Sequence, residues 1–327
     1  MFKFIIIFFF FFSKPNVHAE AIDSPDFKST KNSISWNKWV DKIKSDLDQS
    51  NLKPETKKHL DNITFNKRVI ELDRKQPEFR MNFKEYLQKV VPPSRVSPAK
   101  KKIQENKDLL LEIKKVYNIN PYLLVSLWGI ETSFGSHTGG FDTLNSLATL
   151  AYDGRRSEFF YKEFKHSLEI IDKGYINRKN LRGSWAGAIG QTQFMPSTFI
   201  SFAQDFDKDG KTDLLNNKKD ALASGANYLS KLGWDDKLIW GEKVLPSLKL
   251  GTLQKLANDK VYKNQKYWKK FGINLTNQYG SKKLRIIIPD DELSDYYLVT
   301  KNFDVILRWN RSNYFALAVN ILSDKIK

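Results

Sequence analysis

One carboxyl group stands out because of where its helix would place it. Leu123 and Leu127 recur at helical spacing, and Glu131 follows on their side of the helix. Gly135 is the expected C-cap, which puts Glu131 in the last turn. Burial and the negative end of the helix dipole both disfavour a charged carboxylate, so this group should hold its proton to unusually high pH. Such an acid can protonate a leaving oxygen. The alternative is a buried glutamate satisfied by arginine or backbone donors, without a catalytic role.

A glycine-rich segment, residues 183–196, brings uncharged hydrogen-bonding groups next to aromatic rings. Its three glycines permit sharp turns and close backbone approach. Amides and hydroxyls beside aromatic faces suit sugars, which have hydroxyl edges and apolar ring faces; here they are Ser184, Gln191, Thr192 and Gln193 with Trp185 and Phe194. The spacing is not that of a dinucleotide-binding loop, and the segment contains no acidic residue. The alternative is an ordinary tight loop.

An acidic segment has the spacing of a calcium-binding loop. Carboxylates occupy positions 1, 3, 5 and 9, glycine occupies position 6, and the backbone carbonyl of position 7 is the usual additional ligand. Asn216 replaces the usual glutamate at position 12, and the next carboxylate could close a longer loop. The predicted ligands are therefore Asp205, Asp207, Asp209, Lys211, Asp213 and Asp220. The alternative is a solvated acidic turn.

The first nineteen residues have the layout of a secretory signal peptide. A short positive start precedes nine apolar residues, and the small residues Val17 and Ala19 predict cleavage after Ala19. The alternative is an uncleaved membrane anchor. Nine apolar residues are too few for that role, because about 20 are needed to span a membrane. The chain has no cysteine, which excludes disulfides, thiolate metal sites and a cysteine-linked lipid anchor.

Composition narrows the class of partner. The 327 residues carry a formal net charge of +17, and 41% of them are hydrophobic, so most of the chain can form a packed core. A strong positive charge implies an anionic partner. For a secreted protein this points to cell wall or a membrane surface rather than nucleic acid.

The elements that must position these residues are mainly helical. Residues 20–35 lack periodicity and are predicted to be a disordered lead-in. Pro92-Pro93 and Ser97-Pro98 predict chain breaks, and the β-rich run at 284–288 lies in a glycine-containing insertion. Helical spacing predicts helices from Trp36 onward, at 54–60, within 76–90, over 98–117 as one long basic helix, from Pro121, and at 313–326. The predicted fold class is mainly α (α+β).

Taken together, these segments resemble the lytic murein transglycosylase B family, whose members cleave the glycan strands of bacterial peptidoglycan. The resemblance covers about 36–327. It rests on Ile130–Gly135, Asp142–Leu150, Arg155-Arg156, the segments 183–196 and 205–213, Asn227-Tyr228, Asn302-Phe303 and Asn310–Ala318.

The resemblance implies a lysozyme-like α core with an extra helical domain and a small β-containing insertion. The corresponding domains are a helical domain at 36–105 joined by the C-terminal helix 313–327, a catalytic core at 106–240 with a calcium loop at 205–220, and an insertion with return segment at 241–312. Without a lipidated cysteine, the chain is similar to soluble periplasmic members.

The resemblance also implies site roles. Glu131 matches the single catalytic acid/base, and the acidic segment matches a structural calcium loop, with no cofactor needed for catalysis. Trp309 stands where relatives often carry tyrosine. The predicted glycan-contacting residues are Arg155, Arg156, Ser184, Gln193, Phe194, Tyr228, Asn310 and Tyr314.

The reaction expected from a lone acid differs from ordinary hydrolysis. Without a second carboxylate, the substrate's N-acetyl group can stabilise the sugar cation, and the C6 hydroxyl of N-acetylmuramic acid can attack to form a 1,6-anhydro end. The alternatives are a lysozyme-type hydrolase of the same bond and a non-catalytic peptidoglycan-binding protein. The expected partner is peptidoglycan, bound by a monomer, with no nucleic acid; the charge is also compatible with peripheral contact with the membrane or other cell-wall enzymes.

Overall fold

The computed structural model describes residues 34–75, 81–245, 250–290 and 295–327. The predicted signal peptide at 1–19 and nearly all of the lead-in at 20–35 lie outside the described residues. In the described part, no helix combines the length and apolar composition needed to cross a membrane.

Helices make up most of the described chain, which confirms the predicted mainly α class. They are α1 (Trp36–Asp48), α2 (Pro54–Lys57), α3 (Lys67–Arg74), α4 (Phe83–Val90), α5 (Pro93–Glu105), α6 (Lys107–Tyr117), α7 (Pro121–Thr132), α8 (Thr143–Asp153), α9 (Ser157–Asp172), α10 (Pro196–Phe202), α11 (Lys218–Lys231), α12 (Leu250–Asn258), α13 (Gln265–Lys269), α14 (Lys301–Trp309) and α15 (Asn313–Lys325). The strands are β1 (Phe141–Asp142), β2 (Arg182–Gly183), β3 (Gly241–Val244), β4 (Lys263–Asn264), β5 (Lys283–Ile287) and β6 (Tyr296–Val299).

The chain forms two compact units, and the first contains residues 34–75 and 131–225 of the described chain. Helix α8 is at its centre and packs on α9 and α3, while α10 packs on α9. The Asp142 carboxylate caps α8 by accepting the Asn145 N–H at 2.9 Å, and it also pairs with Arg178 at 2.6 Å. This cap fixes the point at which the short β1–β2 ladder meets the helix.

The second unit contains residues 81–130 and 226–327 of the described chain. Its antiparallel sheet has the strand order β3-β6-β5-β4, which confirms the predicted β-containing insertion. The fully buried Trp268 lies under the sheet, where its indole N–H donates to the Leu284 carbonyl at 3.0 Å. Helix α15 packs on α14 and α4 in this unit. The predicted joining of the C-terminal helix to an N-terminal helical domain at 36–105 stays a prediction.

The predicted single helix over 98–117 is wrong, because two helices cover this stretch. Asn106 interrupts them with φ −121° and ψ 21°, and its side-chain amide donates to the Lys102 carbonyl at 2.8 Å. The predicted breaks at the prolines are also misplaced. Pro93 begins α5, where its fixed φ suits the first helical position, and Pro98 lies inside α5, where it removes one backbone hydrogen bond.

Two smaller differences concern the N-terminal region. The helix expected at 54–60 is a single α-turn, α2, followed by a 3₁₀ turn at Lys58–Asn62. Helix α3 was not anticipated, although Asn66 provides a cap by accepting the Arg68 N–H at 3.1 Å. The predicted domain boundaries near 105, 240 and 312 stay a prediction, since the two compact units are discontinuous in sequence and divide α7 and α11 instead.

Candidate functional site

Helix α7 carries Glu131 in its last turn, as predicted. The helix begins at Pro121, and Asn120 caps it by accepting the Tyr122 N–H at 2.9 Å. From residue 123 to 132 every side chain is buried, so burial surrounds the helix rather than following one apolar seam. Glu131 is 2% exposed. A carboxyl group in this position is shielded from bulk water, which is the setting that a proton-donating acid requires.

The end of α7 is tied to the glycine-rich segment. Thr132 Oγ1 donates to the Gln191 carbonyl at 2.7 Å and accepts the Gly135 N–H at 3.0 Å. The chain is already left-handed at Ser133 and Phe134, two residues before the expected C-cap at Gly135. A Cβ on Gly135 would lie 2.5 Å from Gln191 Oε1, so the absence of a side chain there permits the close approach. The residue after Glu131 therefore holds the carboxylate-bearing turn against the segment.

The segment 183–196 is a buried, internally bonded loop. The Ser184 N–H donates to the Ala188 carbonyl at 2.8 Å, and the Ala188 N–H returns to Ser184 Oγ at 3.1 Å. Ile189 and Phe194 exchange two backbone hydrogen bonds at 2.7 and 3.0 Å. The Phe194 ring is itself buried, so it supports the loop from within. Its contact with a sugar stays a prediction.

Gln193 and Ser184 keep hydrogen-bonding capacity after holding the loop. Gln193 has a left-handed backbone, and its Nε2 donates to the carbonyls of Thr138 and Gly190 at 3.0 and 2.8 Å. Both amide protons are thereby used, while the carbonyl oxygen of the side chain has no partner among the described residues. The Ser184 hydroxyl accepts from Ala188 and retains its own proton. Together these groups present one acceptor and one donor, both uncharged.

The predicted basic pair is engaged with a buried aspartate. Arg155 Nη1 lies 3.2 Å from Asp73 Oδ2, and Arg156 pairs with Asp73 Oδ1. The Asp73 side chain is 1% exposed, whereas that of Arg155 is 50% exposed. The Arg156 guanidinium also stacks over the Phe160 ring at 4.9 Å. Asp73 therefore neutralises part of the pair's charge, and binding of substrate carboxylates by these arginines stays a prediction.

Two predicted glycan contacts lie at one end of α14 in the second unit. The Tyr228 hydroxyl donates to the Arg308 carbonyl at 2.7 Å, and its ring meets Trp309 edge-on at 5.3 Å. Burial raises the pKa of Tyr228 to about 12, so it stays a neutral donor. Asn310 ends α14, and its Oδ1 accepts the Ser312 N–H at 3.1 Å. The Tyr228 ring thus packs against Trp309, and Asn310 follows Trp309 at the C-terminal end of α14.

Tyr314 has a different environment in the same unit. Its hydroxyl donates to Asp290, whose second carboxylate oxygen accepts the Phe83 N–H at 2.6 Å. Its ring packs edge-on to Phe83 at 5.2 Å and beside Tyr86 at 5.4 Å. Burial, followed by the bond to Asp290, raises the pKa of Tyr314. Tyr314 therefore links α15 to α4, and its predicted contact with a glycan is not needed to explain its position.

The acidic segment brings three of its carboxylates together. One carboxylate oxygen from each of Asp205, Asp207 and Asp209 lies within 4.8 Å of the others. The Asp205 carboxylate is held in place by the N–H groups of Asp209 and Gly210 at 3.2 and 2.9 Å. Each carboxylate oxygen has further lone pairs, so these bonds leave room for a metal. Hard oxygen ligands converging in a small loop fit Ca²⁺.

The other predicted ligands support the loop from inside. Asp220 is fully buried, and its two oxygens accept the N–H groups of Phe206 and Asp213 at 2.8 and 2.9 Å. Asp213 Oδ1 in turn accepts the Leu215 N–H at 2.9 Å. The Lys211 N–H donates to Asp209 Oδ1 at 2.8 Å, and its carbonyl remains the predicted ligand. Asp220 thus closes the loop through hydrogen bonds, and metal ligation by Asp213 and Asp220 stays a prediction.

Some residues that build the site were not identified from sequence. Thr132 was visible only as the neighbour of Glu131. Asp73 and Asp290 bind their partners over 82 and 24 residues of sequence, and no local pattern marks such contacts. Glu163 is a buried carboxylate on α9 that accepts the Ser197 N–H at 2.9 Å and the Ser197 hydroxyl at 2.6 Å. The sequence pattern that could have identified Glu163 was its position on the apolar face of a helix.

The amino-acid sequence from residue 35 to 324 matches the family described as "Transglycosylase SLT domain". The chain belongs to this family. It is 30% identical over 243 residues to membrane-bound lytic murein transglycosylase B of Escherichia coli (strain K12). That match covers 72% of this chain and 64% of the relative, so it spans slightly less than two thirds of the curated protein. The family resemblance stated above is confirmed.

Two solved structures share the fold. SltB3 from Pseudomonas aeruginosa, in complex with NAG-NAM-pentapeptide, is 34% identical with a TM-score of 0.82, over 89% of this chain and 79% of that one. The Escherichia coli lytic transglycosylase Slt35, in complex with calcium, is 25% identical with a TM-score of 0.73, over 89% and 92% of the two chains. The lysozyme-like α fold expected for an SLT-domain transglycosylase is thereby confirmed.

Proposed function

We propose that this SLT-domain protein is a lytic transglycosylase of peptidoglycan. It would cleave the β-1,4 bond between N-acetylmuramic acid and N-acetylglucosamine and leave a 1,6-anhydro end. The observation that carries the proposal is the buried Glu131, held by Thr132 against a loop whose polar groups are all uncharged. Relatives named for this activity, and one solved with a murein fragment, support the choice of substrate.

The proposed reaction needs one acid that acts twice. Glu131 donates its proton to the O4 leaving oxygen as the bond from O4 to C1 of the muramic sugar breaks. The N-acetyl group stabilises the positive charge at C1. The Glu131 carboxylate then takes the proton from the C6 hydroxyl of the same sugar, while O6 forms a bond to C1. The proton returns to Glu131, and no water is consumed.

The other residues predicted to contact the glycan have supporting roles in this proposal. The Ser184 hydroxyl and the Gln193 side-chain carbonyl supply a donor and an acceptor for sugar hydroxyl and N-acetyl groups. Tyr228 and Asn310 contribute further neutral contacts, and Arg155 faces the carboxylates of the lactyl and peptide groups. The protein acts as a monomer in the periplasm after cleavage of the signal peptide.

We further propose that the loop containing Asp205, Asp207 and Asp209 binds a structural Ca²⁺. The converging carboxylates and the fixed position of the Asp205 side chain support it, as does the calcium complex of Slt35. When bound, the ion neutralises the carboxylates and ties the loop together. Glu131 requires no metal for either proton transfer.

Digestion of purified sacculi in ¹⁸O-water tests the reaction. We expect anhydro ends that are one water lighter than hydrolysis products and that carry no ¹⁸O, since solvent oxygen never enters the bond. Labelled reducing ends as the main product would show a lysozyme-type hydrolase instead. Binding of sacculi without any cleavage would show a non-catalytic peptidoglycan-binding protein.

Glu131→Gln tests the assigned residue. This change keeps the size of the side chain but removes the proton that is transferred, so turnover should fall by about 10²-fold to 10⁴-fold with sacculus binding retained. Glu163→Gln is the matched control, because Glu163 is also a buried glutamate of the first unit but already has both oxygens bonded to Ser197. Its turnover should stay within a few-fold of wild type. Wild-type turnover by Glu131→Gln would contradict the assignment.

A further inference from the structure

The segment 251–288 of the second unit carries a large share of the positive charge of the chain. It contains eight lysines, one arginine and one acidic residue, Asp259, which gives it a formal charge of +8, against +17 for the whole chain. All eight lysines are exposed. They are Lys255, Lys260, Lys263, Lys266, Lys269, Lys270, Lys282 and Lys283. Such a concentration of one sign of charge indicates an anionic partner for this surface.

Four of these lysines lie on adjoining elements at one edge of the sheet. Strand β4 is the edge strand and pairs with β5, where Asn264 stands opposite Lys283, and α13 begins directly after β4. The fully buried Trp268 of α13 holds both strands, because its indole N–H donates to the carbonyls of Lys263 and Leu284 at 3.1 and 3.0 Å. We call these four residues the lysine cluster: Lys266, Lys269, Lys270 and Lys283.

The lysine cluster is not neutralised within the described part of the chain. None of its four ammonium groups forms an ion pair there, whereas Lys282 pairs with Asp235 at 3.4 Å and Arg285 pairs with Asp304 at 2.6 Å. Lys266 and Lys269 are one turn apart on α13, and Lys270 follows directly. Like charges one helical turn apart repel each other. An anionic partner would relieve this repulsion.

The composition of the segment favours a hydrated polymer over a lipid surface. No large apolar side chain at 251–288 is exposed, whereas a surface that inserts into lipid presents apolar side chains next to its basic ones. The exposed basic groups are all lysines, since Arg285 is buried. A lysine ammonium is a hydrated point charge without the fork by which arginine binds one planar anion. Such charges suit many spaced carboxylates better than a single bound ligand.

We propose that the lysine cluster attaches the protein to the carboxylates of the stem peptides of peptidoglycan. The choice of peptidoglycan rests on the proposed function, whereas the charge and polarity of the surface do not. The cluster contains no residue assigned to the reaction. Attachment through the peptides raises the local concentration of glycan strands, so the cluster acts on the affinity for sacculi and leaves the chemical step unchanged.

Replacing the cluster with glutamines in the full chain tests the proposal. The variant combines Lys266→Gln, Lys269→Gln, Lys270→Gln and Lys283→Gln. Its parent carries Glu131→Gln to prevent turnover, and both proteins are sedimented with purified sacculi at about 0.05 M NaCl, where screening is weak. Exposed ion pairs are individually weak, so the loss of four should lower the affinity about tenfold. Amidation of the sacculus carboxyl groups should abolish the difference between the two proteins.

A second quadruple variant separates a local surface from the total charge. It combines Lys84→Gln, Lys89→Gln, Lys107→Gln and Lys115→Gln, which removes the same charge from exposed lysines of α4 and α6. The exposed acidic residues Glu85, Asp108 and Glu112 lie among those lysines. This control should therefore stay within about twofold of its parent. Equal losses of affinity in the two variants would show that only the total charge matters and would overturn the proposal.

Further measurements exclude unfolding and a lipid partner. The melting temperature of the cluster variant should not fall, because the substitutions remove neighbouring like charges from exposed positions. Vesicles of mixed phosphatidylethanolamine and phosphatidylglycerol should not distinguish the cluster variant from its parent. A loss of binding to vesicles without a loss on sacculi would assign the surface to the membrane. That result, or unchanged affinity for sacculi, would refute the proposed attachment.

The binding readout does not depend on cleavage. If the chain with Glu131 intact fails to cleave murein but the cluster variant binds sacculi less tightly, only the proposed reaction is refuted. If the chain cleaves murein and the cluster variant binds like its parent, only the attachment surface is refuted. With Glu131 intact, the cluster variant should cleave glycan strands without peptides at the wild-type rate, and a slower rate would contradict a role confined to attachment.

Discussion

At the scale of single residues, two buried glutamates in the first unit have different surroundings. Glu131 ends a helix against an uncharged loop, whereas Glu163 has both oxygens bonded to Ser197 at the start of α10. Burial raises the pKa of Glu163 above its usual 4.5, even though the bonds to Ser197 act in the opposite direction. Burial alone therefore does not identify a catalytic acid. The groups that face the carboxyl determine whether it can act as one.

The raised pKa of Glu163 predicts how stability depends on pH. Its protonated form favours the folded state, so this contribution is complete below the unfolded pKa of about 4.5 and is lost as the pH rises through the higher folded value. Glu163→Gln cannot ionise, and its amide can still bond to Ser197. Relative to this variant, wild type should lose free energy of unfolding between pH 4.5 and neutrality, measured by urea denaturation. A difference that does not change with pH would contradict this assignment.

At the scale of elements, the pairing of β1 with β2 depends on a glycine. Gly139 has φ +93°, and a Cβ there would lie 2.1 Å from the Gly183 carbonyl oxygen. Gly139→Ala should lower the free energy of unfolding by about 2–5 kcal/mol and reduce turnover, because the ladder holds the start of the 183–196 loop. The measurement is urea denaturation together with a sacculus assay.

The neighbouring Gly140 provides the control for this prediction. A Cβ at Gly140 meets nothing within 4 Å, and its backbone is not left-handed. Gly140→Ala should therefore stay within about 1 kcal/mol of wild type. Equal effects of the two substitutions would show that the close approach of Gly139 to Gly183 is unimportant.

The acidic loop gives a second prediction at this scale. Ca²⁺ should raise the melting temperature in proportion to the logarithm of its free concentration, because it binds the folded loop; occupancy at 100 times the Kd adds about 2.7 kcal/mol. Asp205→Ala combined with Asp209→Ala should abolish the shift, and the exposed Asp259→Ala should preserve it. If chelation stops turnover while the protein stays folded, the ion has a catalytic role that the present proposal excludes.

Elements with a local signal were predictable from sequence, and those without one were not. Pro121 after Asn120 marked the start of α7, and the apolar periodicity marked α15. The break at Asn106 was missed because an asparagine inside a periodic segment reads as a tolerated helical residue. The bond from its amide to Lys102 is visible only in three dimensions.

Contacts that form only in three dimensions also limited what the sequence could predict about the site. Glu131 and the 205–213 loop have local signatures, so both could be proposed from residue types and spacing alone. The pairing of Arg155 and Arg156 with Asp73, and the anchoring of Tyr314 by Asp290, join residues far apart in sequence. Sequence reasoning could assign these side chains a polar partner, but it could not distinguish a buried aspartate from a substrate carboxylate.

At the scale of the whole molecule, the positive charge should govern attachment to the cell wall. The formal net charge is +17, and exposed lysines such as Lys100 and Lys101 extend along α5. Binding of Glu131→Gln to sacculi should weaken as NaCl rises from about 0.05 to about 0.5 M, since salt screens exposed charges beyond about 10 Å at 0.1 M. Sacculi with amidated carboxyl groups should bind less protein at low salt. Binding that is unaffected by both the NaCl concentration and the amidation would contradict a role for charge.

The buried 183–196 loop has a consequence for how binding energy is used. Fixing the backbone of one residue costs about 1–2 kcal/mol of conformational entropy. In this loop that cost arises when the protein folds, because six of its backbone N–H groups are already bonded to backbone carbonyls. A glycan that reaches the loop gives up its own freedom but does not have to order the protein. In the proposed complex, each contact with Ser184 or Gln193 would therefore contribute to affinity without a loop-ordering penalty, and the glycan would meet a surface that is already in place.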